Sequence, residues 1–119
     1  MTHLMHEQVV DVVRKAISLM DGLLRDRIDI DEYTVQLRAL HVDDILSTFE
    51  DDFKTNAQLV YYLDALMLLS SLQHEIEFQV AEYGANVALE DMRNLKELMH
   101  KFPYADRHIV MEHNGTGKE

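Results

Sequence analysis

Leu59-Val60-Tyr61-Tyr62-Leu63-Asp64-Ala65-Leu66-Met67-Leu68-Leu69-Ser70-Ser71-Leu72 is the most apolar stretch of the chain. No Lys or Arg occurs between Lys54 and Arg93. The residues from Leu59 to Leu69 are apolar on nearly every side of a helix, which is the pattern of a central helix covered by its neighbours. The other reading leaves part of this helix exposed as a face for homodimerisation, since few helices are available to wrap it. The stretch is too short and too interrupted to span a bilayer, which needs about 20 apolar residues.

Outward from this stretch, local signals divide the rest into helices. Towards the N-terminus, Thr55 and Gln58 fit a capping box that opens the long helix at about Asn56. Gly84 stands where a helix-ending residue is expected, so the helix closes at about Tyr83. Leu4, Met5, Val9, Val12, Val13, Ile17, Met20 and Leu24 recur at three- and four-residue steps, giving a first helix over about 4–24. Asp29 and Glu32 form another capping box, and Ile28 and Tyr33 stand at the positions of a hydrophobic staple. Together they predict a helix over 30–40. Asp43 is a candidate cap for a shorter helix over 44–53, with Ile45, Leu46, Phe49 and Phe53 inward. Asn86 is a candidate cap for a last helix over 87–101, stopped by Pro103. Beyond it, Arg107-His108-Ile109-Val110-Met111 is a short extended candidate, and His113 to Glu119 reads as a frayed tail. The expected fold is therefore all-α, an antiparallel bundle of four to five helices. Residues 1–102 form the single domain, and 103–119 form a partly disordered extension.

Composition narrows the function classes. At 119 residues the chain has room for one domain. Without Cys there are no disulfides, thiolate metal sites or Cys nucleophiles. Absent Cys and an N-terminus with no basic stretch before an apolar run predict a cytoplasmic location rather than secretion. Eleven Lys and Arg against 22 Asp and Glu leave a formal charge of −11. That charge repels phosphate backbones and anionic lipid, so no direct nucleic-acid or membrane binding is expected. It attracts cationic surfaces, although acidity that merely maintains solubility would look the same.

The acids are concentrated. From Asp21 to Asp52 there are ten acids, offset by Arg25, Arg27 and Arg38 alone. Asp29, Asp31 and Glu32 are well explained by the positive end of a helix dipole. Asp43-Asp44 and Glu50-Asp51-Asp52 are less so. The candidate partner-binding residues are therefore Asp43, Asp44, Glu50, Asp51 and Asp52, with Asp31 and Glu32 beside them.

Catalytic and metal patterns are incomplete. His3-x-x-His6 places two imidazoles one turn apart, near a terminus expected to fray and with no further ligand implied. Glu97-x-x-His100 matches one arm of a di-iron bundle site, but the second arm is missing. Asp29-x-Asp31 lacks the glycine and the final Glu of a calcium loop. Ser70-Ser71 lies a turn from His74 without the strand–turn–helix that presents a nucleophile. There is no Gly-rich phosphate loop. The chain is thus expected to have no catalytic residues, metal or cofactor, and not to be an enzyme.

Leu23-Leu24-Arg25-Asp26-Arg27-Ile28-Asp29-Ile30-Asp31-Glu32-Tyr33-Thr34-Val35-Gln36-Leu37 resembles the helix–turn–helix opening of the colicin D immunity-like family. The shared pattern is an apolar pair, a short polar turn, Ile, an acid and an aromatic. The resemblance spans about 20 residues and implies a small acidic bundle that blocks a cationic nuclease toxin, its acids standing where RNA phosphate would sit. It implies no individual contact residue. The resulting expectation is an acidic inhibitor or immunity-type protein with a basic nucleic-acid-acting partner, whether as a toxin antidote or a phage-encoded inhibitor. A self-associating structural or adaptor bundle is the alternative.

Overall fold

The computed structural model describes residues 2–103, and all the regular structure in that range is helical. The expected extended segment Arg107–Met111, and the tail after it, lie outside the described residues. Helix α1 spans Thr2–Leu24, α2 Ile30–Arg38, α3 Val42–Thr48, α4 Glu50–Thr55, α5 Val60–Tyr83 and α6 Val87–His100. A 3-10 turn, Ala57–Leu59, leads into α5. The chain is an all-α helical bundle, with six α-helices among the described residues rather than four or five. No helix among them is long and apolar enough to cross a membrane.

The extra helix comes from a break at Phe49. The expected single helix over 44–53 is two short ones, because Phe49 leaves helical geometry at φ −109° and ψ 23°. Its ring is buried at 1 % exposure. Burying a side chain that size is worth about 2–3 kcal/mol, which outweighs the hydrogen bond or so lost at a kink. Asp43 is not the cap of α3. It lies inside the helix, and His41 precedes it in the left-handed region at φ 53° with no side-chain cap.

Capping decides the other boundaries. Asp29 accepts the Glu32 backbone N–H at 2.8 Å, as the first capping box requires. The return arm is absent, because the Glu32 carboxylate accepts from Gln36 instead. The second box does not form. Thr55 ends α4, its hydroxyl donating to the Asp51 carbonyl, and Asn56 caps the following turn by accepting from Gln58 N–H. Gly84 ends α5 at φ 77°. Asn86 precedes α6 without a side-chain cap.

The core follows helical spacing. Met5, Val9, Val13, Ala16 and Met20 of α1 are fully buried. Helix α1 packs on α6, which also packs along α5, and α2 and α3 pack against α5 as well. His6 is part of this core and not of a fraying end: it is 7 % exposed, and its Nδ1 lies 2.7 Å from the Tyr62 hydroxyl. Tyr62 stacks on Phe102 with ring centroids 4.4 Å apart, so one ring ties α1, α5 and the chain after α6 together. Gln73 donates to the Leu37 carbonyl at 2.7 Å, adding a side-chain tie from α5 to an oxygen at the end of α2 that also accepts from the Ala39 and Leu40 backbone N–H groups.

Helix α5 is not covered on every side. Tyr62, Ala65, Leu66, Leu69, Leu72 and Ile76 are buried at three- and four-residue steps. Val60, Tyr61, Met67, Phe78 and Tyr83 are exposed. The neighbours of α5 pack on one face, so the expectation of a helix enclosed all round gives way to one with an open side.

Candidate functional site

All seven acids singled out in the sequence stand in the first turn of a helix. Asp31 and Glu32 open α2, Asp43 and Asp44 open α3, and Glu50, Asp51 and Asp52 open α4. Free backbone N–H groups and the positive dipole end favour a carboxylate there. Each acid therefore has a local reason for its place, including the two clusters for which the sequence offered little explanation. All are exposed except Asp52, which is half-buried.

The fold joins only some of them. Helices α3 and α4 lie along the start of α5 and leave a groove of about 430 Å³. Leu46 and Phe53 from one side, and Leu63 and Met67 of α5 from the other, give it apolar walls. Asp43 and Glu50 stand on its edge. A second hollow of about 340 Å³ shares Asp43 and adds Asp44, Arg38, His41, Gln73 and His74. Asp43, Asp44 and Glu50 thus belong to one continuous feature. Asp31, Glu32, Asp51 and Asp52 line neither hollow.

Hydrogen bonds fix the shared edge. Ser70 donates to Asp43 at 2.8 Å, and His74 Nε2 lies 3.7 Å from the other oxygen of the same carboxylate. These contacts tie α3 to α5. They also bear on the serine–histidine proximity seen in the sequence. A serine nucleophile needs its proton taken by the imidazole. Here Asp43 lies between the two, so the pair is not arranged for that transfer. On the far edge Glu50 pairs with Lys54 at 3.0 Å, and this neighbour raises the Lys54 amine above its usual range.

Other candidate ligands remain apart. His6 is engaged with Tyr62, and both Glu97 and His100 are exposed on α6. Among the described residues, no group of three or more His, Asp or Glu side chains is positioned to hold a metal ion.

Sequence reading missed two features. Leu46, Phe53, Leu63 and Met67 read as core, whereas together they wall a groove, and Met67 is 53 % exposed. The apolar excess of α5 over its available neighbours was the signal. Asp91 of α6 is the other. It is 9 % exposed, and its Oδ2 has no hydrogen-bond partner. Burial, with the Glu90 charge added, pushes its carboxyl up to about 6, while burial and Asp91 together push the Tyr33 hydroxyl above its usual range. Its spacing from Ala88 and Leu95 on the buried face was visible in the sequence. No family model matches the chain, and no curated protein or solved structure matches it either.

Proposed function

We propose that this chain is an acidic helical inhibitor of the immunity-protein type, binding and blocking a basic nucleic-acid-acting protein such as a nuclease toxin. The observation that carries the reading is the run of exposed acids along α3 and α4, with Asp43, Asp44 and Glu50 on one continuous edge. Complementary charge speeds encounter and fixes orientation. The resemblance of Leu23–Leu37 to the colicin D immunity-like family supports the same class of partner. In this reading the chain is cytoplasmic and has no catalytic role.

The test is affinity capture from source-cell lysate at low salt, followed by assay of the captured protein's nuclease activity. Suppression of that activity, weakened by high salt and by Asp43→Asn with Glu50→Gln, is the expected result. Recovery of the bait alone, with a dimer mass, would overturn the reading. It would favour the self-associating bundle, for which the open side of α5 with Val60, Met67 and Phe78 speaks.

A further inference from the structure

We infer that the groove between α3, α4 and α5 receives a cationic amphipathic segment of the partner, with an apolar side chain seated against Met67 and its Lys or Arg neighbours meeting the acidic edge. This rests on the inhibitor reading and names the part of the partner that is recognised.

Three observations carry it. The volume, about 430 Å³, falls within the range of sites that take a substantial ligand group, roughly 300–1,000 Å³. Its walls are apolar, and Met67 is 53 % exposed there. Methionine has the unbranched, polarizable side chain used on surfaces that adapt to a guest. Its charged lining residues are two acids, Asp43 and Glu50, and one base, Lys54, which Glu50 engages, so the rim carries a net negative charge.

The combination selects the occupant. Apolar walls alone would accept any hydrophobic side chain, and acids alone would accept any cation. Together they accept a segment that carries both at adjacent positions, as an amphipathic helix laid into a groove does. A second copy would bring the same net-negative rim, with Asp43 and Glu50, to the facing edge, and like charges opposed across an interface cost affinity. Anionic lipid is repelled for the same reason.

The probe is a 14-residue peptide of leucine and lysine at helical spacing, with a twin in which glutamate replaces lysine. Each is titrated into the full chain and followed by amide chemical shifts. Shifts from the lysine peptide are expected to cluster at Leu46, Phe53, Leu63 and Met67, and the glutamate twin should give none. Met67→Gln changes an exposed position and should leave the melting temperature in place while weakening the lysine peptide at least tenfold. Val35→Gln on α2, also exposed, should leave binding unchanged.

Shifts spread evenly over all the exposed acids, or equal affinity for Met67→Gln, would overturn the groove. So would a peptide of residues 104–119 that occupies it more tightly than the lysine peptide, since the occupant would then be this chain's own tail. The two proposals fail separately. A captured nuclease that Met67→Gln inhibits as well as wild type removes the groove and leaves the inhibitor. Peptide docking in the groove with no basic protein inhibited removes the inhibitor and leaves the groove.

Discussion

Asp91→Asn tests how much an unpartnered carboxylate costs the fold. Asp91 is 9 % exposed with one oxygen unbonded, and burial lifts its carboxyl from 3.8 to about 6. In the unfolded chain the group titrates near its ordinary value. Between those two values the native state keeps a proton that the unfolded state has released. Stability therefore falls as pH rises through this window, because the unfolded state there binds fewer protons. The full penalty is present above the native value, so it applies at pH 7. A shift of just over two pH units at 1.36 kcal/mol each is about 3 kcal/mol. Asn removes the ionisation and keeps the shape. At pH 7 it should stabilise the chain by up to about 3 kcal/mol, or about 10 °C in melting temperature for a domain of this size. Below about pH 3, where the group is protonated in both the folded and the unfolded state, the gain should largely vanish. The assay is thermal or urea unfolding of wild type and variant from about pH 3 to about pH 7.5, read as a difference so that other carboxylates cancel. Asp91→Leu, with no polar atoms to satisfy, should show the same pH trend. A difference that stays flat with pH in both variants would refute the assignment.

Tyr62→Phe should cost about 1–2 kcal/mol in urea unfolding, because it deletes the hydroxyl that bonds His6 in the core. An unchanged midpoint would mean that this contact contributes nothing. Asp26 sits at φ 60°, where a side chain is strained, so Asp26→Gly should raise stability by about 0.5–1 kcal/mol despite the added freedom of the unfolded chain. A lower melting temperature for Asp26→Gly would argue against strain at the end of α1. Phe49→Ala should destabilise by about 3–5 kcal/mol, the range for removing a fully buried aromatic. A loss under 1 kcal/mol would show that the kink between α3 and α4 does not depend on that ring.

Helices whose signals are local were legible. The apolar spacing of α1, the Asp29 cap with its Glu32 N–H, and the left-handed Gly84 all act within one or two turns. The break at Phe49 was not, because it depends on which distant surface buries the ring. The two capping boxes show the limit of pattern. Asp29-x-x-Glu32 and Thr55-x-x-Gln58 look alike, yet only the first caps a helix. Thr55 has a helix behind it, and its hydroxyl bonds back to the carbonyl of Asp51. Asp31 and Glu32 were legible as first-turn residues, whereas Asp43-Asp44 and Glu50-Asp51-Asp52 were not, because the break at Phe49 makes the helix that Glu50 opens. That Asp43, Asp44 and Glu50 share an edge while Asp31 and Glu32 do not is set by how α3 and α4 lie on α5. No spacing in the sequence encodes that.

Helix α4 has six residues, none of them buried. In water a helix that short does not hold by itself, since nucleation outweighs so few hydrogen bonds. Its order is borrowed from Phe49 on one side and Leu59 on the other, both buried. Its amides should therefore open and exchange with solvent while α1 and α6 remain protected, as a cooperative unit of low local stability. A partner that seats on this segment would raise its protection selectively. Slowed exchange at Glu50–Thr55, with the rest of the chain unchanged, would then serve as the signature of engagement.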